Sequence, residues 1–266
     1  MFNFLKKTNT DLGEPVIEKP KIIKIGKTKI TLDKSVKQEE KYIKKYRADI
    51  DEVDVAVAKQ LLQKGDVVLD VGASIGYVAL HYLDKGAKEV HSFEPHPQIY
   101  KRLKNIKRKG LVTYPVALSN KRGKCSLIIS QSHNQGSTLE KKIAKGNRNV
   151  FGAELQKVKI STDKLDHVFP DKYFDFVKVD IEGHELAFLK GAKKFLKKRA
   201  PRIFQIEIQD KDKAQVISLL QSSYKNVRRV DYNKKTGQVN FAKLEETCLP
   251  EYEHSPQNYI FTNEDV

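Results

Sequence analysis

Residues 67–80 read VVLDVGASIGYVAL. The run Val67 to Val71 is short and almost wholly apolar, the mark of a strand buried on both faces, and a helical pattern from Tyr77 to Leu83 follows it at once. Gly72 and Gly76 bracket the turn between them. In an open α/β sheet such a strand, turn and helix bring the N–H groups of a helix start over the carboxyl ends of the strands, where ligands bind. Gly72 permits the sharp turn, and a residue without Cβ at Gly76 would let a ligand lie against the backbone.

The spacing Asp70-x-Gly72-x-x-x-Gly76 departs from the Gly-x-Gly-x-x-Gly dinucleotide fingerprint. Ser74 stands where that fingerprint needs its second glycine, so a pyrophosphate would fit poorly. Glu94 ends the next strand, Glu89 to Phe93, in HSFEPHP. A carboxylate there can accept hydrogen bonds from both hydroxyls of a ribose.

Outward from this motif the alternation of strand and helix continues. A helix is predicted over Gln98 to Lys109, then strands over Leu111–Val116, Phe174–Asp180 and Arg202–Ile208, with helices over His184–Lys197 and Lys211–Ser222. Strands at Val227–Asp231 and Tyr259–Thr262 close the chain as a hairpin-like pair. Upstream, Lys21 to Asp33 alternates around Gly26 as a small hairpin. Ser35 to Leu62 reads as one helix through Ile43, Tyr46, Ile50, Val53, Val57 and Leu61. Residues 1–20 have no periodicity and read as a flexible tail, and Gln131 to Arg148 as a long polar loop of the kind that often carries function. The expected organisation is a tail over 1–20, a hairpin and helix extension over 21–63, and an α/β domain over 64–266.

Bulk properties agree with one large α/β domain. The chain has 266 residues, 39% hydrophobic and 32% charged, and Lys plus Arg exceed Asp plus Glu by 50 to 34 for a net charge of +16. That balance favours anionic partners, although lysine here accompanies many Ile and Asn, as a compositional bias would produce. Cys125 and Cys248 give neither a disulfide framework nor zinc-ligand spacing. The apolar run before Lys6 and Lys7 is too short for a signal peptide, and no apolar stretch reaches membrane-spanning length. A cytoplasmic protein is expected, with no oligomeric state fixed by the sequence.

A second cluster lies in FDFVKVDIEGHELAFLKGA, residues 174–192, where Asp180, Glu182, His184 and Glu185 crowd the end of a central strand. Glu182 and Glu185 also suit a helix first turn, where they complement the macrodipole. The strand PRIFQIEIQ places Glu207 among apolar neighbours, costly unless the acid is paired or used.

With these pieces in order, the chain resembles the FkbM-type family of class I S-adenosylmethionine-dependent methyltransferases, from about Gly65 to Ala200 and more weakly beyond. The matching pieces are LDVGASIGY, FEPHP, PVALSN (115–120), GST (136–138), STDKLD (161–166), KVDIEGHE (178–185), LKGA (189–192) and Glu207, of which KVDIEG is the most diagnostic. The resemblance implies a Rossmann-like, mostly parallel seven-stranded sheet with helices on both faces, preceded by the N-terminal extension. It implies S-adenosyl-L-methionine as cofactor and O-methylation of a hydroxyl, commonly on a sugar. Asp70, Gly72, Gly76 and Glu94 would contact the cofactor with Ala73, Ser74, Pro95 and Asp180 around them, and Ala117 and Leu118 would lie near the adenine.

Methyl transfer to a hydroxyl demands in-line alignment and removal of a proton. The catalytic candidates are Asp180, to orient the acceptor, His184 or Asp180, to take the proton, and Glu207. A divalent metal held by Asp180 and Glu207 is an alternative that lacks a third ligand, so the metal set is read as none. Carbohydrate is the expected acceptor, bound between the segment Lys21–Gln63 and the Gln131–Arg148 loop. Nucleic acid is the alternative partner, motivated by KRLKNIKRK from Lys101 and KKFLKKR from Lys193. Leu103, Ile106, Phe195 and Leu196 make those runs the solvated backs of amphipathic helices, and no aromatics interleave with them to stack bases. A non-catalytic S-adenosylmethionine-binding protein is the reading from another class.

Overall fold

The computed structural model describes residues 15–130, 137–139 and 155–266. Its centre is an eight-stranded sheet. Strands β3 (Val67–Val71), β4 (Glu89–Phe93), β5 (Leu111–Tyr114), β9 (Phe176–Val179) and β10 (Ile203–Glu207) pair in parallel in the order β10-β9-β3-β4-β5. Beyond β10, β13 (Glu253–Thr262) runs antiparallel, followed by β11 (Asn226–Tyr232) and an edge strand β12 (Val239–Ala242). The sheet thus has eight strands rather than seven, because Val239–Ala242 adds to the open edge of β11.

Side chains alternate across this sheet with period 2 and bury two cores. Val68, Val90, Phe176, Ile203, Val230 and Ile260 face a core shared with the N-terminal hairpin and helices. Leu69, Val71, Phe93, Val177, Val179, Phe204 and Phe261 face the other core. The first core is roofed by β1 (Pro20–Ile25), β2 (Thr28–Asp33), α1 (Lys37–Ala48), α2 (Val53–Leu61) and α3 (Tyr77–Lys85). The second is covered by α5 (Leu165–Val168), α6 (Glu185–Gly191), α7 (Lys193–Arg199) and α8 (Lys213–Gln221), while α4 (Pro97–Lys104) follows β4.

Several elements are shorter than their periodicity predicts, each for a local reason. The expected helix Ser35–Leu62 is two. Asp49, at φ 54°, ends α1 in the left-handed region, and the Glu52 side chain caps α2 by accepting from the Asp54 N–H at 3.1 Å. The helix expected to Lys109 stops at Lys104. His184–Lys197 splits at Ala192, where the Asp166 carboxylate accepts from the N–H groups of Lys194 and Phe195 at 2.9 and 2.8 Å and starts α7 afresh.

The strand read as Leu111–Val116 divides at Pro115. Past it, β6 (Val116–Leu118) leaves the main sheet and joins β7 (Gly123–Ser130) and β8 (Leu155–Asp163) in the order β6-β8-β7. The antiparallel pair β7 and β8 was not expected from the sequence. Of the predicted loop Gln131–Arg148, residues 131–136 and 140–148 lie outside the described residues, while Thr138 bridges back to Ile128. Residues 1–14 of the expected tail also lie outside them. Glu18 and Lys19 are pinned through their N–H groups to the Asp33 carboxylate, at 2.8 and 3.1 Å.

Candidate active site

The site grows from one register line across the sheet. Asp70 of β3 pairs with Ser92 of β4 and with Lys178 of β9, and Lys178 pairs with Gln205 of β10. All have the parity of Val68, Phe176 and Ile203, so each strand enters this face apolar and turns polar two residues later. The result is a polar floor under the ends of the parallel strands. α2 closes over it. Asp54 accepts from the Gln205 amide at 2.7 Å and lies 3.5 Å from the Lys178 ammonium.

Lys178 is the centre of charge. Its side chain is 4% exposed, and it donates to Asp180 at 3.1 Å. Burial lowers a lysine pKa, but Asp180, Asp54 and Asp70 together outweigh it and hold Lys178 well above its usual range. Asp54, desolvated against the same ammonium, is pushed up to about 7.

Above the floor opens a cavity of about 940 Å³. One end is formed by the glycine turn. Asp70 is completely buried, and its carboxyl is raised to about 6 by desolvation, with Lys178 pulling the other way. The neighbouring Ser92 hydroxyl also lowers it, but makes no hydrogen bond of ordinary geometry with either carboxylate oxygen. Ser74, at φ 49°, donates its N–H to Glu94 at 3.0 Å, and its hydroxyl is buried without a partner. The other Glu94 oxygen accepts from the His96 N–H at 2.7 Å. Desolvation raises the Glu94 carboxyl to about 7 against these two bonds.

Gly72 and Gly76 serve different ends. At Gly72, φ 89°, a Cβ would stand 1.8 Å from the Asp180 carbonyl oxygen, so glycine lets β3 and β9 close at the site. Gly76, φ 82°, begins α3, and a Cβ there would meet Leu103 and Ile106 at 2.7 and 2.9 Å. It is absent from the cavity lining, whereas Asp70, Gly72, Ala73, Ser74, Glu94, Pro95, Ala117, Leu118 and Asp180 all line it. Close helix packing and the positive φ account for a glycine at this position.

At the other end stand Asp180, Glu182, His184 and Glu207. The Asp180 side chain is 37% exposed through the cavity although protein surrounds it on its other sides. Desolvation raises its carboxyl, Lys178 and a hydrogen bond from Glu207 together more than cancel this, and the net position is below the usual range. Ile206 pairs with Val179 in parallel, so the next step along both strands puts Glu207 beside Asp180. Desolvation and the Asp180 charge drive Glu207 up to about 11.

The turn after Asp180 is held from both sides. Glu182 sits at φ 54°, its carbonyl accepting from the Thr138 hydroxyl at 2.7 Å. Glu185 accepts from the N–H groups of Ile181 and Gly183, both at 3.1 Å, so it fixes the loop. His184 Nε2 lies 2.8 Å from the Ser119 hydroxyl, which ties the ring to the end of β6. Among the described residues no group of three or more His, Cys, Asp or Glu side chains is placed to hold a metal ion.

Sequence reasoning passed over Lys178, Asp54, Gln205 and Ser119. The signal for two of them was present: Lys178 interrupts the apolar run FVKV, and Asp54 the run VDVAVA. The third wall of the cavity comes from α1, through Lys37, Gln38, Glu40, Lys41, Tyr42, Lys44 and Lys45. Tyr42 stacks flat on Tyr77 of α3, centroids 4.1 Å apart, which joins that wall to the helix that follows the glycine turn.

A Methyltransferase FkbM domain model matches residues 70–233, more than half of the chain. Among solved structures, methyltransferase FkbM from Methylobacillus flagellatus superposes with a TM-score of 0.50 at 14% identity over 82% of this chain and 50% of that one. This likeness speaks for the fold, and the chain spans about half the length of that protein. A TehB-like SAM-dependent methyltransferase from Corynebacterium glutamicum gives a TM-score of 0.42 at 12% identity, covering 85% of this chain and 96% of that one. The tRNA (m1A58) methyltransferase of Aquifex aeolicus gives 0.37 at 14% identity over 81% and 68%. No curated protein matches the sequence significantly. No helix among the described residues is long and apolar enough to cross a membrane. The domain match spans the glycine turn, Glu94 and the Asp180 strand end that build the cavity, and on that ground the chain belongs to the FkbM methyltransferase family.

Proposed function

We propose that the chain transfers a methyl group from S-adenosylmethionine to a hydroxyl oxygen of a carbohydrate, with Asp180 as the proton acceptor. The observation that carries this reading is the Asp180–Glu207 pair, one carboxylate held ionised by Lys178 beside one carboxyl held protonated, opening on a single cavity with the glycine turn.

The cofactor fits the glycine-turn end on its chemistry. Two buried acceptors there, the Asp70 carboxylate and the Ser74 hydroxyl, make no hydrogen bond of ordinary geometry within the protein, and Glu94 keeps lone pairs beyond its two N–H donors. Glu94 would hold the ribose hydroxyls, with Ala117 and Leu118 lining the adenine end. When bound, S-adenosylmethionine supplies a methyl group already activated as a sulfonium.

The chain's own residues position and deprotonate. An acceptor hydroxyl would donate to an Asp180 oxygen, and Asp180 would take that proton as the oxygen bonds to the methyl carbon and the carbon–sulfur bond breaks, releasing the thioether. Glu207, protonated, can donate to the acceptor oxygen or to Asp180 and fix the in-line angle. His184 is tethered to Ser119, which favours Asp180 over it as base. α1 and Asp54 of α2 wall the site on the side facing the sheet's polar floor. The domain limits proposed for this activity are 64–266, with 21–63 as the acceptor wall.

The test is mass spectrometry on glycan and RNA pools incubated with deuterium-labelled S-adenosylmethionine. Gain of one labelled methyl group on a glycan hydroxyl supports the proposal. Labelling of RNA alone, or none in either pool despite tight S-adenosylhomocysteine binding, refutes it.

A further inference from the structure

We infer that the lysine face of α1 is an anion-reading subsite, so that the acceptor is a carbohydrate carrying oxyanion substituents, phosphate or carboxylate. This rests on the carbohydrate reading above and narrows it.

The first observation is placement. Lys37, Lys41 and Lys44 recur at i, i+4 and i+7, which sets them on one stripe of α1, and all three line the cavity that holds Asp180. Seven residues of helix carry the stripe over roughly 10 Å. Lys234, from the turn between β11 and β12, lines the same cavity and forms an exposed ion pair with Glu253.

The second is what the ammonium groups lack. Among the described residues Lys37 has no ion-pair partner, Lys44 meets Glu40 one turn away at 3.0 Å on the exposed surface, and Lys41 stands 3.7 Å from Glu52. The Lys44–Glu40 pair is exposed on both sides, so it holds weakly and exchanges readily for a ligand anion. Glu52 beside Lys41 is buried and leaves only the half-exposed ammonium free to turn to the cavity. Lys45, by contrast, is committed to the Tyr232 hydroxyl and the Asp51 carbonyl, with its ammonium over the Tyr232 ring.

The third is rigidity. On the opposite side of α1, Glu39 is buried and receives both Arg102 guanidinium nitrogens at 2.7 Å, and it also accepts from the Asp33 N–H at 2.6 Å. The Tyr42–Tyr77 stack fixes the adjoining face. A helix clamped in this way presents its stripe without paying to order it on binding. Seven acids among the described residues line the same cavity. Glu40 pairs with Lys44, Asp54 meets Lys178 and the Gln205 amide, and Asp70 and Glu94 lie at the glycine-turn end. Asp180 and Glu207 engage each other and Lys178, and burial beside Asp180 and Glu185 pushes the Glu182 carboxyl up to about 8. A cationic wall in a concave site concentrates field and draws an anion toward the acceptor position. Nucleic acid fits less well, because the two tyrosines on the wall stack on one another and offer no open ring to a base.

The experiment is calorimetry on the full chain loaded with S-adenosylhomocysteine, comparing wild type with a K37Q/K41Q/K44Q variant. The probes are trigalacturonic acid, glucose 6-phosphate, neutral maltotriose and a single-stranded RNA oligonucleotide. At least one anionic sugar should bind, about tenfold more tightly than maltotriose and less so as salt rises, and the variant should lose about tenfold of that affinity. S-adenosylhomocysteine binding and melting temperature should not change in the variant. Equal binding of maltotriose, an unaffected variant, or no binding of either anionic sugar overturns the inference, as does tighter binding of RNA than of both. If the labelled-methyl assay marks neutral glycans only, this inference falls while the carbohydrate reading stands; if it marks RNA only, that reading falls as well.

Discussion

Glu207 and Asp180 stand side by side at the ends of β10 and β9, one step beyond the Ile206–Val179 pair, and they hold one proton between them. Like charges at that separation cannot both ionise cheaply, and Lys178 decides which does.

Asp180→Asn should therefore remove the charge that accepts the proton while leaving the cavity shape. Single-turnover rates should fall about 10²-fold or more, with S-adenosylhomocysteine affinity nearly unchanged. A variant that turns over at the wild-type rate would assign the base elsewhere, His184 first.

Glu207→Gln should behave in the opposite way toward stability. The carboxyl is pushed from 4.5 up to about 11, so between those values the unfolded chain ionises it and the folded chain does not. Its contribution is complete below the unfolded value and declines as pH rises, and the neutral amide escapes that loss. The variant should gain melting temperature relative to wild type at about pH 8 and much less at about pH 4. An equal gain at both would contradict the shared proton.

Cofactor affinity should depend on pH through Glu94 and Asp70, raised to about 7 and about 6. Ribose hydroxyls donate to the ionised carboxylate, so S-adenosylhomocysteine should bind more tightly at about pH 8 than at about pH 6. Glu94→Gln should weaken binding about tenfold and flatten the dependence, since an amide offers one acceptor oxygen in place of two. A flat wild-type profile in calorimetry would separate Glu94 from the ribose.

Lys178→Met should be the most damaging single change on the polar floor. It leaves Asp54, Asp70 and Asp180 without their common countercharge, a loss of about 3–5 kcal/mol by analogy with broken buried ion pairs. Denaturant titration would measure it. The double variant with Asp54→Asn should recover part of that loss, and no recovery would mean that the two residues act independently.

The parallel core of the sheet was legible because each strand is a short apolar run followed by a turn or helix signal, as in Val67–Val71 and Ile203–Glu207. The β7–β8 pair was not, since its two strands are separated by a long insertion and pair only through long-range contacts. The break at Asp49 was hidden for a related reason: the apolar spacing of Ile43, Ile50, Val53 and Val57 continues through it, and a single left-handed residue leaves the period almost intact.

For the site, the local sequence by itself determined the chemistry available: the glycine turn, the Glu94 strand end, the acids of KVDIEGHE and the lone Glu207. Spacing along the chain could place each at a strand end, because strand ends are set by local pattern. Only the tertiary structure decided their states. Parallel register brought Glu207 to Asp180 and Asp70 to Lys178, α2 brought Asp54 onto the same ammonium, and α1 turned its lysines into the cavity wall. Protonation and charge depend on distance and burial, and residues far apart in sequence acquire both only when the sheet closes.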